Sequence, residues 1–184
     1  MKANLPPELR TERLRLRRWR EEDRGPFAAM NADPRVMEHF PAPLTGEESD
    51  ARAARIEAHF AQHGFGLWAV EVVGRAPFVG FIGLNRALFE APFTPCVEVG
   101  WRLAADSWGC GYATEGARAA LEFAFEWLEL GEVYSYTVPD NVRSRRVMEK
   151  LGMIHQPNGD FDHPLVPEAH RLRRHVLYRI GRQK

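Results

Sequence analysis

The chain has 184 residues, of which 45% are apolar and 27% are charged, a composition typical of a soluble globular protein. Its 25 basic and 25 acidic side chains cancel, so no overall field favours a nucleic acid or an anionic membrane as partner. The length predicts one domain over residues 1–184, and without a long apolar run or an apolar leader we expect a cytoplasmic protein with no membrane span.

The first half of the chain predicts a strand followed by two helices. Leu14 and Leu16 alternate with arginines, which is the period of a strand with one buried face. Acidic residues up to Asp23 precede a predicted helix that continues through Met30. Segment 45–64 begins with a threonine, has acids in its first turn and ends at a glycine, an order typical of a complete helix.

Three predicted strands follow. The segments LWAVEVV and FVGFIGLN, separated by GRAP, predict a β-hairpin. CVEVGWRL predicts the next strand, with Glu98 and Arg102 on one face. The opposite face carries Val97, Val99, Trp101 and Leu103.

The second half predicts a helix, a strand, a short helix and a last strand. The long helix is expected from Ala113 to Leu130, with Gly131 as its stop. Its buried stripe comprises Ala117, Leu121, Ala124 and Leu128. VYSYTV predicts a strand, the short helix follows Asn141 and runs through Met148, and RRHVLYRI alternates as a final strand. These elements predict an α/β domain with a mostly antiparallel sheet and one helical crossover.

The stretch SWGCGYATEG places two glycines directly before the long helix. Gly109 and Gly111 allow backbone angles that other residues avoid, and a helix N-terminus attracts anions, so together they indicate a phosphate-binding loop. A nucleotide P-loop is excluded, because Ala117 and Arg118 stand where a lysine and a hydroxyl residue are needed. A dinucleotide-binding loop would need a third glycine where Thr114 stands. A tight turn that binds nothing remains the alternative.

Two separated motifs give this loop a family context. WGCGYATEG follows the strand VEVGWRL, and NVRSRRVMEKLGM comes later in the chain. In this order they resemble the general-control-related N-acetyltransferase (GNAT) superfamily, and LRTERLRLRRWREED with DPRVMEHFP resembles its ribosomal-protein N-acetyltransferase (RimJ/RimL-like) branch. The resemblance spans nearly the whole chain. It implies an α/β (α+β) fold with a mixed, mostly antiparallel central sheet, whose middle strands splay apart between flanking helices.

The resemblance also implies a site for acetyl-coenzyme A. The loop would hold the diphosphate with backbone amides, and the pantetheine arm would bond the backbone of a splayed strand as an added strand does. The implied residues are Val99, Trp101, Leu103, Trp108, Gly109, Cys110, Gly111, Tyr112, Ala113, Thr114, Asn141 and Ser144. Trp108 replaces a usual glutamine or arginine and Cys110 a common lysine, so one peripheral charged contact is expected to be missing.

Catalytic roles follow from the same resemblance. Ser144 would lie near the cofactor sulfur and donate to the leaving thiolate, since Met148 stands where other branches have a tyrosine acid. Asn141 would contact the cofactor arm, with a helix N-cap as the equal alternative. Glu98 is the candidate general base, and its alternative is a surface carboxylate paired with Arg102.

The expected function is acetyl transfer from acetyl-coenzyme A to a primary amine, by direct attack in a ternary complex. The acceptor would be a protein N-terminal α-amine or a small molecule. A catalytically inactive acyl-coenzyme A-binding module on the same fold is the alternative. We expect no metal, because the histidines lack ligand spacing, and no nucleic-acid or membrane partner. A homodimer is left open.

Overall fold

The computed structural model describes residues 8–182, which form a nine-stranded sheet and five α-helices among them. The strands are β1 (Leu9–Arg10), β2 (Leu14–Arg17), β3 (Leu67–Val72), β4 (Ala76–Ala87), β5 (Cys96–Leu103), β6 (Glu132–Thr137), β7 (Ile154–His155), β8 (Phe161–Asp162) and β9 (Arg174–Gly181). The helices are α1 (Arg24–Ala32), α2 (Pro34–Met37), α3 (Gly46–His63), α4 (Tyr112–Glu126) and α5 (Val142–Lys150). The strand order is β1-β2-β3-β4-β5-β6-β9-β7, with β8 paired to β9.

Helices cover both faces of the sheet. Phe27 of α1 packs edge-on against Phe81 of β4, with ring centroids 6.1 Å apart. The next residue of β4, Ile82, faces α4, because a Cβ added to Gly116 would come within 2.6 Å of its side chain. Since consecutive strand residues point to opposite faces, α1 and α4 lie on opposite sides of β4. The predicted fold class, a mixed and mostly antiparallel sheet flanked by helices, is confirmed.

Helix α3 has the ends that its sequence predicts. Thr45 Oγ1 accepts the N–H of Glu48 at 3.2 Å, and the Glu48 carboxylate accepts the N–H of Thr45 at 2.8 Å. This reciprocal pair satisfies two N–H groups that the helix itself cannot bond. At the other end Gly64 adopts a left-handed conformation, with φ at 77°, and stops the helix.

Helix α4 ends earlier than predicted, at Glu126 instead of Leu130. Glu129 adopts a left-handed conformation, with φ at 52°, although it is not a glycine. The N–H of Leu130 then reaches back to the carbonyl of Ala124 at 3.0 Å and closes the helix. The chain thus turns before Gly131, the residue predicted to stop the helix. Three of the four predicted stripe residues, Ala117, Leu121 and Ala124, are buried, whereas Leu128 lies beyond the end of the helix and is partly buried.

Among residues 8–182, the sheet has one pair of neighbouring strands that run parallel, β5 and β6 in its middle, and α4 connects them. Their pairing has a single register position, Glu98 opposite Tyr134. In contrast, β4 and β5 pair from Gly80–Leu103 to Ala87–Cys96. The part of β5 that follows Glu98 therefore separates from β6, which leaves a wedge between two strands of one sheet.

A buried ion pair joins β2 to the turn that precedes α1. Arg17 donates to both carboxylate oxygens of Asp23, at 2.7 and 2.8 Å, and to Glu71 at 3.1 Å. These partners raise the pKa of Arg17, mainly through the hydrogen bonds to Asp23. None of the helices between residues 8 and 182 is long and apolar enough to cross a bilayer.

Candidate active site

The wedge exposes backbone hydrogen-bonding groups of β5. The Ala104 N–H donates to the Val79 carbonyl at 2.9 Å, which fixes the hydrogen-bonded positions of the β4–β5 ladder. Such positions alternate along an antiparallel ladder, so Val99, Trp101 and Leu103 direct their peptide groups away from β4. Beyond the Glu98–Tyr134 pair, no strand among residues 8–182 pairs with this side of β5. The splayed edge thus offers a hydrogen-bonding pattern that an extended amide chain can complete.

At the open end of the wedge, the loop before α4 presents free N–H groups. Gly109 and Gly111 adopt left-handed conformations, with φ at 76° and 83°. The backbone N–H groups of residues 109–114 donate no hydrogen bond to any residue from 8 to 182, whereas that of Trp108 donates to Ala105 at 3.1 Å. Unpaired N–H groups at the positive end of a helix dipole form an anion-binding site.

The turn between β1 and β2 holds this loop in place. Arg13 donates from Nη1 to the Cys110 carbonyl at 3.0 Å and from Nε to Glu115 at 2.7 Å. Thr11 also donates to Glu115, at 2.6 Å. Glu115 lies in the first turn of α4, where the positive end of the helix dipole stabilises a carboxylate. These bonds fix the loop from its carbonyl side and leave its N–H side free.

The side chain of Trp108 supports the backbone of the site. Its indole Nε1 donates to the Leu103 carbonyl at 2.9 Å, so this carbonyl of the splayed edge already has a partner. The Arg143 guanidinium lies over the same ring, 4.6 Å from its centroid. Of the three strand positions predicted to bond the pantetheine arm, Leu103 thus has a carbonyl that already accepts a hydrogen bond within the protein. Val99 and Trp101 are the two whose carbonyls can accept one from a ligand.

The start of α5 carries the two residues that the later motif singled out. Asn141 is an N-cap, because its Oδ1 accepts the Ser144 N–H at 3.2 Å, and its Nδ2 donates to Thr137 at 3.0 Å. Ser144 is half-buried, and its hydroxyl makes no hydrogen bond within residues 8–182. Met148 is buried in the core. The capping role of Asn141 is thus present, and the Ser144 hydroxyl is available.

Glu98 lies on the face of β5 opposite to α4. Asn85 donates from Nδ2 to Glu98 Oε1 at 2.8 Å. Burial raises the pKa of Glu98, and interactions with the Tyr136 hydroxyl, Asn85 and Arg52 oppose that rise. The Tyr136 hydroxyl interacts with this carboxylate without a hydrogen bond of standard geometry. Burial and the charge of Glu98 raise the pKa of Tyr136. A carboxyl with a raised pKa suits a general base that works near neutral pH.

The alternative pairing of Glu98 with Arg102 does not occur. Residues four apart on a strand lie about 13 Å apart, and Arg102 donates instead to Asn31 Oδ1 at 2.7 Å. The sequence analysis missed Asn85 and Arg52, which the fold brings to Glu98 from β4 and α3. An asparagine in a strand and an arginine in an amphipathic helix carry no local signal of such a role.

Beside Tyr136, rings from separate segments form an aromatic cluster: Phe89, Phe93, Tyr136, Phe161, His163 and His175. The two imidazole rings are 5.1 Å apart. Burial and the neighbouring His175 lower the pKa of His163 to about 4, and burial lowers the pKa of His175. Both rings are therefore neutral near pH 7.

Two acidic residues of the segment around His163, Asp160 and Asp162, have partners within the protein. Asp160 accepts from the Leu177 N–H at 3.0 Å and contacts His155 at 2.9 Å. Asp162 lies 3.5 Å from Arg173 and Arg174. The described residues include no group of three His, Cys, Asp or Glu arranged for a metal ion.

The two cysteines are free thiols. Burial raises the pKa of Cys96 to about 12, so this thiol is not a reactive thiolate near neutral pH. Cys110 is exposed in the loop before α4, where its carbonyl is held by Arg13. Neither position suggests a covalent nucleophile at the splayed strands.

Comparisons with known proteins agree with this geometry. The model of the acetyltransferase (GNAT) domain family matches residues 13–154. The FsC-acetyl coenzyme A-N(2)-transacetylase of Aspergillus fumigatus is 34% identical over 165 residues, which cover 84% of this chain and 68% of that protein. The protein YkkB of Bacillus subtilis is 31% identical over 156 residues, 82% of this chain and 87% of its own.

A solved structure shares the architecture over nearly its full length. The acetyltransferase of Agrobacterium tumefaciens superposes with a TM-score of 0.76 at 29% identity, covering 96% of this chain and 95% of the other. The splayed strands, the loop with free N–H groups and the family match point to the same class of enzyme. The chain is an N-acetyltransferase that belongs to the GNAT acetyltransferase family.

Proposed function

We propose that the protein transfers an acetyl group from acetyl-coenzyme A to a primary amine, by direct attack in a ternary complex. The observation that carries the proposal is the set of free backbone N–H groups at residues 109–114, at the open end of the β5–β6 wedge. A diphosphate needs several such donors, and an amide-containing arm needs an unpaired strand edge. Both occur here in one continuous surface.

These residues fit the cosubstrate in a definite order. Backbone groups of Gly109, Cys110, Gly111, Tyr112, Ala113 and Thr114 would hold the diphosphate, and those of Val99 and Trp101 the pantetheine arm. Acetyl-coenzyme A supplies an activated acetyl thioester. Because the loop offers main-chain donors, tryptophan and cysteine at positions 108 and 110 cost little affinity there.

The acceptor must be a neutral amine when it attacks. An α-amine with a pKa near 7.8 costs about 1 kcal/mol to deprotonate at pH 7, and a lysine near 10.4 costs about 4.6 kcal/mol. Glu98 would take this proton, directly or through a water, because burial has raised its pKa towards the working range. The aromatic cluster that includes Tyr136 would exclude water around the reacting amine.

The thiolate that leaves also needs a proton donor. Ser144 would supply it, since its hydroxyl has no other hydrogen bond within residues 8–182 and α5 begins beside β6. Asn141 would act by fixing the first turn of α5, where it caps the Ser144 N–H. Met148, buried behind Ser144 on the same helix, offers no proton.

Four finer assignments belong to the proposal. The RimJ/RimL-like branch rests on the motifs LRTERLRLRRWREED and DPRVMEHFP, which include the buried Arg17–Asp23 pair. The acceptor class includes protein N-terminal α-amines and small molecules. A cytoplasmic location agrees with the free thiols of Cys96 and Cys110, and a homodimer remains a prediction.

The test combines binding with turnover. The purified protein is titrated with coenzyme A by calorimetry, then incubated with labelled acetyl-coenzyme A and a panel of amines, with thiol release and product mass as readouts. We expect binding and acetylation of at least one amine class. Binding without transfer to any amine would support an inactive acyl-coenzyme A-binding module instead, and no binding would reject both.

A further inference from the structure

One buried and one half-buried guanidinium group, those of Arg102 and Arg52, lack an acidic partner on the face of β5 that carries Glu98. Arg102 is 5% exposed, and neither Arg102 nor Arg52 of α3 has a carboxylate oxygen within 4.0 Å among residues 8–182. In the same range, the buried side-chain nitrogen or oxygen atoms without a hydrogen-bond partner are Nδ1 of His39 and Nε of Arg52 and Arg102. A buried cation without a counter-charge is costly, so these residues require an explanation.

Packing holds Arg102 in one orientation. Its Nη1 donates to Asn31 Oδ1 at 2.7 Å, and Asn31 in turn donates to Ser49 at 2.8 Å. The guanidinium lies 3.8 Å from the ring centroid of Phe40. The remaining edge, Nε and Nη2, makes no hydrogen bond within residues 8–182. Two parallel N–H donors on one edge match the two oxygens of a carboxylate.

Arg52 and Arg102 lie near the same aromatic ring. Its guanidinium carbon is 5.8 Å from the ring centroid of Phe81, and that of Arg102 is 5.6 Å from the same ring. Burial and the proximity of Arg52 lower the pKa of Arg102 to about 9. Two like charges on one aromatic ring repel each other, and an anion between them would relieve that repulsion.

Glu98 supplies the opposite charge at the same place. Arg52 interacts electrostatically with Glu98 without forming an ion pair within 4.0 Å. The face therefore presents two cations and one carboxylate in a partly buried setting. A ligand with one anionic and one cationic end would complement all three groups.

We propose that the amine acceptor carries a carboxylate, which Arg52 and Arg102 bind while its amine lies at Glu98. The inference rests on the proposed acetyl transfer and names the substrate class for that site. Carboxylate-bearing primary amines, such as amino acids, fit the arginine pair and the general base together. Simple polyamines and neutral amines lack the anionic group.

The experiment uses matched acceptor pairs, amino acids and their carboxamides, with acetyl-coenzyme A and the full-length chain. The carboxylate raises the pKa of its own amine, so at equal pH the carboxamide has more neutral amine, and a preference for the acid must come from binding. We expect kcat/KM to favour the acid for at least one pair. In Arg52→Gln and Arg102→Gln this ratio falls about 10- to 100-fold, because the charged hydrogen bonds to the carboxylate are lost.

Arg55→Gln is the matched control, since Arg55 is exposed on the same helix as Arg52, and its acid-to-amide ratio should equal that of the unmodified protein. Calorimetry with N-acetylated amino acids and their carboxamides gives a readout without turnover. Equal use of acid and amide, transfer only to amines without a carboxylate, or an unchanged ratio in Arg52→Gln overturns the proposal. If no amine is acetylated, the proposed function fails, and the calorimetric comparison still decides the carboxylate site.

Discussion

At the scale of single residues, Glu98 is a group whose ionisation costs stability in the folded protein. Its pKa is raised in the folded state by burial, so the fold binds this proton more tightly than the unfolded chain does. Stability from this group is therefore complete below the unfolded pKa of about 4.3 and is lost as pH rises through the raised value. At neutral pH the ionised carboxylate destabilises the fold.

Glu98→Gln separates catalysis from stability. We expect kcat/KM to fall about 10²- to 10⁴-fold with loss of the acidic limb of the pH–rate profile, because the amide cannot accept the proton. The free energy of unfolding at pH 7 should be unchanged or higher. Kinetics between pH 5 and 9 and urea denaturation measure the two effects.

The matched control for this substitution is Glu90→Gln, at an exposed position. It should leave both the rate and the stability unchanged. A Glu98→Gln variant with the original rate and pH profile would remove Glu98 from the mechanism.

For single residues, the sequence predicts a chemical role only where the residue belongs to a motif that resembles the family. Glu98 and Ser144 could be singled out by resemblance, but Asn85 and Arg52 could not. They reach the site through strand pairing and helix packing across the sheet, from residues far away in the chain. No local period or spacing marks such contacts.

Among the elements, the loop and first turn of α4 form one unit. Gly111 has φ at 83°, so any side chain there pays a backbone penalty of about 1 kcal/mol or more. An added Cβ would lie 3.4 Å from Arg13 Nη2, at contact distance. Gly111→Ala and Gly111→Glu share this penalty and differ in charge.

Gly111→Glu should weaken coenzyme A binding about 100-fold more than Gly111→Ala, because its carboxylate repels the diphosphate. Calorimetry with coenzyme A measures both affinities, and circular dichroism verifies that each variant folds. Equal affinities of the two variants would contradict the location proposed for the diphosphate.

Elements with strong end signals could be predicted, and those without them could not. The caps at Thr45 and Gly64 are local, and α3 has the predicted ends. Helix α4 instead ends at Glu126, before a turn in which Glu129 adopts a left-handed conformation that a glutamate does not favour. Packing of the turn after α4 overrides the nearby glycine as a stop signal.

At the scale of the whole molecule, the aromatic cluster makes the stability of the fold depend on pH in the acidic range. Its rings come from the segment after β4, from β6 and from the C-terminal region. The folded pKa of His163 is about 4, below its ordinary value of 6.5. A histidine held neutral in this way adds stability above pH 6.5 that is lost as the pH falls towards 4.

His163→Phe should flatten the fall of unfolding free energy between pH 6.5 and pH 4, since it keeps a ring and removes the titrating group. Chemical denaturation at several pH values measures the slope. His170→Gln, outside the cluster, should retain the original slope. An unchanged slope in His163→Phe would mean that another group controls acid unfolding.

The splayed strands also limit what can enter between them. An ordinary polypeptide strand bears substituents that alternate above and below its plane, and α1 and α4 already cover the two faces of the sheet at β4, the strand next to β5. A slender, unbranched chain with spaced amides meets no such obstacle. We therefore expect the gap to select by thickness, admitting a coenzyme arm and rejecting peptides, so that selectivity at this end of the protein would depend on the main chain and tolerate wide variation in the surrounding side chains.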